Sequence, residues 1–303
     1  MRRTVSVRVP GSTANLGPGF DSFGLALGIY NTFTAELADT WSVEVRGEGV
    51  GELSSGAGNQ VARAMARVFA HAGQAQLAAR VVCDNGVPTG RGLGSSSAAI
   101  VGGLMLANEL LEAGLGTREL FRLADDLEGH ADNVGAALYG GFVICWRDGQ
   151  SHCATLQPAG GLAAVVAVGT VGLSTKKARG MLPTQVPHTD AAFNVGHAGL
   201  MVAGLLLGQK DLLAAGMRDR LHEQYRSAAV GDFERTHDSL IESGADAAAL
   251  SGAGPTVVGI VLGDDDAAAM KRAAEVVESV QPSLTGRRIA SALALDRSGA
   301  VLL

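Results

Sequence analysis

The chain has 303 residues, 47% of them apolar and 18% charged, with a formal net charge of −6. That composition suits a folded protein with a large core and room for two domains, and excludes a disordered chain. The acidic balance and scattered basic residues argue against a nucleic-acid surface, while Cys83, Cys145 and Cys153 lack metal-ligand spacing and read as buried or free thiols of a reducing compartment.

Val5, Val7 and Val9 alternate with Ser6 and Arg8, an opening strand expected to end at Pro10. The start has no apolar signal core, and the apolar run over 199–208 is too short to span a bilayer, so the expected location is cytoplasmic. Gly11-Ser12-Thr13-Ala14-Asn15-Leu16-Gly17-Pro18-Gly19-Phe20-Asp21 is turn chemistry, with Asn15 and Asp21 set among glycines. Strands are expected over 32–37, 42–46 and 77–83. Asn59 caps a helix with the stripe Val61, Met65, Val68 and Ala72.

Pro88-Thr89-Gly90-Arg91-Gly92-Leu93-Gly94-Ser95-Ser96-Ser97 joins the last of those strands to an apolar helix over 100–111. Its glycines permit tight turning and close approach to a ligand. Its serines open the helix, whose first N–H groups lack internal partners and carry partial positive charge. Together they make an anion seat, for phosphate, with a Ser-capped tight turn as the plainer reading. No Lys precedes Lys176, which excludes a P-loop, and Ser97 stands where a dinucleotide motif needs its third glycine.

A helix over 118–127 leads into Glu128-Gly129-His130-Ala131-Asp132-Asn133, then a strand over 140–146, a turn at Arg147-Asp148-Gly149 and a returning strand over 151–156. The composition shift at Pro158-Ala159-Gly160-Gly161 sets the expected domain boundary, 1–158 against 159–303. A buried strand over 162–168 follows, and Ser174 caps a helix holding Thr175, Lys176, Lys177 and Arg179. Helices are expected over 188–207, 219–228 and 232–242, then a strand over 247–250 and a second Gly-rich turn, Ser251-Gly252-Ala253-Gly254-Pro255-Thr256. A strand over 257–262, a helix over 264–279 and strands over 288–295 and 301–303 close the sheet. Interleaving without steady βα alternation gives an α+β fold, two layers in each half.

Three motifs resemble, in order and at wide separation, the GHMP superfamily of small-molecule kinases (galactokinase, homoserine, mevalonate and phosphomevalonate kinases). They are the segment from Asn15 to Asp21, Gly92-Leu93-Gly94-Ser95-Ser96, and Ser251-Gly252-Ala253-Gly254-Pro255-Thr256. Within the superfamily, Ala14-Asn15-Leu16-Gly17-Pro18-Gly19-Phe20-Asp21, His130-Ala131-Asp132-Asn133 and Ser174-Thr175-Lys176-Lys177-Ala178-Arg179 are similar to the homoserine kinases. Mevalonate kinases differ around the acidic motif, ending in Asp where Asn133 aligns. The resemblance implies a two-domain GHMP kinase fold, with an N-terminal ATP-binding domain whose fold is shared by ribosomal protein S5 (domain 2), a ferredoxin-like C-terminal domain and a ligand cleft between them. It also implies transfer of the γ-phosphate of ATP to the side-chain hydroxyl of L-homoserine, a step toward threonine. Another GHMP-type substrate, such as a mevalonate-like alcohol, is the alternative. A serine hydrolase with a nucleophile among Ser95, Ser96 and Ser97, and a nucleotide-binding regulator without catalysis, are the readings from other classes.

On that resemblance Pro88, Gly90, Arg91, Gly92, Leu93, Gly94, Ser95, Ser96 and Ser97 hold the phosphates of ATP. Ser96 and an acidic residue hold Mg2+, with Glu128 preferred over Asp125 and Asp126. A zwitterionic substrate needs acceptors for its ammonium and cations for its carboxylate. Asp21 accepts from the ammonium, Asn15 orients a polar group, and Arg179 and Arg226 fork the carboxylate. Thr175 and Asn133 complete the substrate set, and Arg226 has the rival reading of an ordinary solvated helix face. Asn133, Asp132 and Arg179 form the expected catalytic set. Asn133 cannot take a proton, whereas Asp132 and His130 could; the favoured route has no dedicated base, only a hydroxyl aligned with phosphate oxygens. His130 reads first as structural. The expected partner is the small-molecule substrate, with no nucleic acid and no membrane, and a homodimer is left open.

Overall fold

The structure is a computed structural model describing residues 3–170, 172, 175–285 and 288–303; Ser174, the expected cap, lies outside them. The first half comprises β1 (Thr4–Ala14), β2 (Phe23–Ala38), β3 (Ser42–Gly47), α1 (Gln60–His71), β4 (Ala78–Asn85), α2 (Ser95–Leu111), α3 (Thr117–Glu128), α4 (Ala131–Tyr139), β5 (Phe142–Asp148) and β6 (Gln150–Leu156). The second comprises β7 (Leu162–Val168), α5 (Thr175–Arg179), α6 (His188–Leu207), α7 (Lys210–Gly216), α8 (Glu223–Val230), α9 (Phe233–Glu242), β8 (Ala247–Leu250), β9 (Val257–Leu262), α10 (Asp266–Val280), β10 (Ile289–Ala294) and β11 (Val301–Leu302).

The first sheet runs β11-β1-β2-β4-β3, and the β5–β6 hairpin joins it beside β2. β2 is long enough to serve two partners: residues 31–38 pair with β4, and residues 23–25 with β5. α1 to α4 cover one face. Asn59 caps α1 as expected, its side chain accepting the Val61 N–H at 3.0 Å, and Val61, Met65, Val68 and Phe69 are buried.

β1 does not stop at Pro10. The register shifts between Pro10 and Gly11, and the strand resumes to Ala14. Proline has no N–H for a ladder and is tolerated at such an irregularity. Ser12 and Thr13 thereby become buried strand residues, the Ser12 side chain bound to Asn133 and the Thr13 hydroxyl to Ser251.

The second sheet runs β10-β7-β9-β8, with the β-α-β-β-α-β connectivity of a ferredoxin-like fold. The last strand corrects an expectation. β11 leaves this sheet and pairs antiparallel with β1, Val7 opposite Leu302. Beneath the cleft, Leu16, Leu25, Leu27 and Leu93 share one apolar cluster with Ala164, Val166, Leu205 and Ile260. The two halves are thereby fused. Among the described residues α6 is the one helix long and apolar enough to cross a membrane, and Asn194, Met201, Gly204 and Leu205 are its buried positions.

Candidate active site

The three motifs meet at one point. The Ser12 N–H donates to Leu93 O at 3.0 Å, and the Gly252 N–H to Ala14 O at 3.0 Å. Ser251 Oγ donates to Gly92 O (2.6 Å) and pairs with the Thr13 hydroxyl at 2.9 Å, and Asn15 Nδ2 donates to Gly252 O at 2.8 Å. Asn15 Oδ1 accepts the Asp21 N–H at 3.0 Å. Asn15 and Asp21 hold left-handed backbone, φ +69° and +57°, a conformation short polar side chains tolerate. Both polar atoms of Asn15 are therefore occupied in shaping the loop.

Around this junction lies a cleft. It is lined by Gly90, Arg91, Gly92, Gly94, Ser95, Ser96 and Ser97 on one side, and by Asn15, Asp21, Thr175, Arg179 and Arg226 on the other. Glu128, His130, Asp132 and Asn133 form its floor. Pro88 and Leu93 do not line it. Leu93 is 1% exposed and belongs to the apolar cluster, contributing only its carbonyl to Ser12. A neighbouring hollow, walled by Phe33, Leu53, Val61, Cys83 and Ala99, shares Gly90, Ser95 and Ser96 with the cleft.

α2 starts at Ser95, so its free N–H groups open into the cleft. Ser96 Oγ donates to Glu128 Oε2 and Ser97 Oγ to Glu128 Oε1, both at 2.8 Å. The alternatives to Glu128 are elsewhere: Asp125 is buried against Arg147 and Ser151 of the β5–β6 hairpin, and Asp126 is exposed.

Gly94 precedes α2 with φ +71°, and a Cβ there would lie 2.1 Å from Ser12 Oγ. The conflict is with the protein wall. Gly94→Ala is therefore expected to destabilise the fold by about 2 kcal/mol or more. Gly90, φ +65° with nothing within 4 Å, should lose only about 1 kcal/mol as Gly90→Ala while weakening nucleotide binding. Thermal unfolding and nucleotide titration of the two variants separate these effects; equal stability would contradict the packing.

Across the cleft from α2, Arg179 forks Asp21, Nη1 to Oδ2 at 2.8 Å and Nη2 to Oδ1 at 2.7 Å. That hydrogen bonding, with the Asp21 charge, pushes the Arg179 pKa above its ordinary value. Arg226 is no solvated helix residue: it is 2% exposed. Its Nη1 donates to Gly252 O at 3.0 Å and its Nε has no partner. No carboxylate of the described residues lies within ion-pair distance of it. Desolvation pulls its pKa down, and the cation sits over the Phe20 ring, 5.1 Å from the centroid.

Sequence reasoning missed the residues behind Arg226. His222 stacks on Phe20, donates from Nε2 to Gly17 O at 2.8 Å and presents Nδ1 to Arg226. Burial lowers its pKa, in keeping with a neutral ring. Asp219 holds the start of α8, accepting the His222 and Glu223 N–H groups at 2.8 Å and Asn194 Nδ2 at 2.8 Å. The signal was present, since an Asp two to four residues before a helix is a local acceptor of this kind.

Glu223 accepts the Leu250 N–H at 2.6 Å, and desolvation pushes its carboxyl up to about 8. The folded state holds that proton to higher pH than the unfolded chain, so stability falls as pH rises from about 4.5 to about 8. Glu223→Gln keeps an acceptor for Leu250 without the charge. Its melting temperature should exceed the parent's above pH of about 8 and match it near pH 4.5; a parallel pair of melting curves across pH would contradict this.

On the floor, Asp132 Oδ1 accepts the Asn133 N–H (2.6 Å), Asn133 Nδ2 (3.3 Å) and His130 Nδ1 (3.1 Å). Asn133 Oδ1 accepts from Ser12 Oγ at 2.9 Å. Burial alone would lower the His130 pKa, but Asp132 and Glu128 outweigh it and the value is raised.

Residues 59–141 match the GHMP kinases N terminal domain, and residues 201–277 match the GHMP kinases C terminal. Homoserine kinase of Clavibacter michiganensis subsp. michiganensis is 44% identical over 91% of this chain and 88% of its own length. Homoserine kinase of Streptomyces avermitilis is 39% identical over 99% and 95%. The crystal structure of homoserine kinase from Cytophaga hutchinsonii has a TM-score of 0.87 at 26% identity, covering 100% of this chain and 98% of that one. A mevalonate kinase structure, at 11% identity and a TM-score of 0.70, shares the fold alone. The chain belongs to the GHMP kinases and, within them, to the homoserine kinase family.

Proposed function

We propose that this protein transfers the γ-phosphoryl group of ATP to the side-chain hydroxyl of L-homoserine, giving O-phosphohomoserine on the way to threonine. The observation that carries the reading is Arg226, a buried guanidinium with no carboxylate at ion-pair distance among the described residues, facing the same cleft as Asp21 and Arg179. A buried cation of that kind is stabilised by an incoming anion. The amino acid's ammonium and carboxylate replace the two halves of the Asp21–Arg179 pair, and Arg226 supplies the second cation for the carboxylate.

ATP sits with its base in the apolar hollow and its phosphates at the start of α2, since Gly90, Ser95 and Ser96 border both spaces. Ser96 and Glu128 offer a hydroxyl and a carboxylate, hard oxygen donors that suit Mg2+ and would hold it, where the ion would neutralise charge on the phosphates. Phosphoryl transfer needs chiefly positioning and charge neutralisation. Asn133 cannot accept a proton, and Asp132 has one oxygen committed to three donors. The hydroxyl proton therefore passes to a phosphate oxygen, and Asp132 and Asn133 act by alignment.

A coupled assay of ADP release with homoserine, mevalonate, galactose and shikimate tests the reading. Turnover with homoserine alone is expected; turnover with mevalonate and none with homoserine would replace it.

A further inference from the structure

Against α4, at Gly135, two sulfurs face each other. Cys145 on β5 and Cys153 on β6 are register partners in the hairpin, and both are free thiols. The Cys145 N–H donates at 2.7 Å to Ser22 O, on the opposite side of β5 from β6. In an antiparallel ladder that makes Cys145 and Cys153 a non-hydrogen-bonded pair, in which Cα atoms approach to about 4.5 Å. A disulfide accepts Cα separations of about 4.4–6.8 Å. Both side chains rise on one face: a Cβ on Gly135 of α4 would lie 3.0 Å from Cys145 Sγ and 3.1 Å from Cys153 Sγ. The helix leaves room for two sulfurs because this residue is glycine.

We propose that Cys145 and Cys153 are a redox-active dithiol which a peroxide closes to a disulfide, and that closure slows turnover through α4. Cys153 is the more accessible of the two and meets the oxidant first. Its thiolate attacks a peroxide oxygen, the O–O bond breaks, and a sulfenic acid and water form. Cys145 then gives up its proton and attacks the Cys153 sulfur; the S–O bond breaks and a second water leaves. Two thiols and one hydrogen peroxide become one disulfide and two waters. The link to the site is short. Cys145 Sγ donates to Ala131 O at 3.3 Å, and Ala131 opens α4 immediately before Asp132 and Asn133. Closure removes that donor. Cys83 takes no part, since it lies buried on β4, outside the β5–β6 hairpin that sets Cys145 opposite Cys153.

The test treats the whole protein with hydrogen peroxide and counts thiols after denaturation. Two of the three thiols should disappear, with Cys145 and Cys153 linked in an unreduced peptide map and the mass lower by about 2 Da. kcat should fall about two- to tenfold and return with dithiothreitol. Cys153→Ser should keep the parent's kcat and lose its peroxide response. Three surviving thiols, oxygen added to Cys153 without a link, or a linked protein with unchanged kcat would each overturn the proposal.

Discussion

Asp21→Asn is expected to raise KM for homoserine about 30- to several-thousand-fold, the effect of removing one partner of a desolvated charge pair worth about 2–5 kcal/mol. Two effects compete. In the unliganded protein Asp21 is bound to Arg179, so the substitution also frees Arg179 for the substrate carboxylate. That pair is more than a third exposed on both sides, and exposed pairs are worth about 0–1 kcal/mol. The lost ammonium contact, made once the substrate has excluded water, is larger and decides the sign. Arg179→Ala should weaken homoserine from the carboxylate end. ATP affinity should be nearly unchanged in both, because the phosphates meet a different wall of the cleft. The ion pair also filters substrates: an alcohol with a carboxylate but no ammonium must break it and leave Asp21 unpaired. Asp21→Asn should therefore narrow the gap between homoserine and mevalonate. Paired titrations check this, and parent-like homoserine affinity in both variants would place the amino acid elsewhere.

Glu128→Gln should lower kcat by about 100-fold or more with little change in homoserine affinity. The amide keeps the shape of the side chain, and its oxygen can still accept from Ser96 or Ser97. What it loses is the negative charge facing the phosphates. Asp125→Asn is the control: it disturbs the contacts to Arg147 and Ser151 and should affect melting more than chemistry. A nearly normal Glu128→Gln beside an inactive Asp125→Asn would move the metal site.

The elements legible in the sequence were those with a period or a cap. α1 carries both, in Asn59 and its buried stripe. α4 has neither: seven of its nine residues are buried, so no polar face marks it as a helix. α7, seven residues long, is too short for a pattern. β11 is two residues whose partner lies nearly three hundred positions away, and local sequence holds no trace of that pairing. In the site, the Gly-rich loops were legible because turning and close approach restrict the residue type. Ser12 and Thr13 were hidden by Pro10, which reads as a strand end unless an irregularity absorbs it. Arg226, expected at the substrate carboxylate, kept a rival reading as helix surface because its burial depends on Phe20 and Gly252, contributed by distant segments.

The most direct measurement follows the phosphoryl group itself. The protein is incubated with Mg2+, L-homoserine and ATP labelled on its γ-phosphate, and the product is identified by phosphorus NMR and mass spectrometry. The label should appear as a phosphate ester on the homoserine side-chain oxygen, in step with ADP formation. Label found only in inorganic phosphate, or on the carboxylate or amine of homoserine, would contradict the assignment of this cleft.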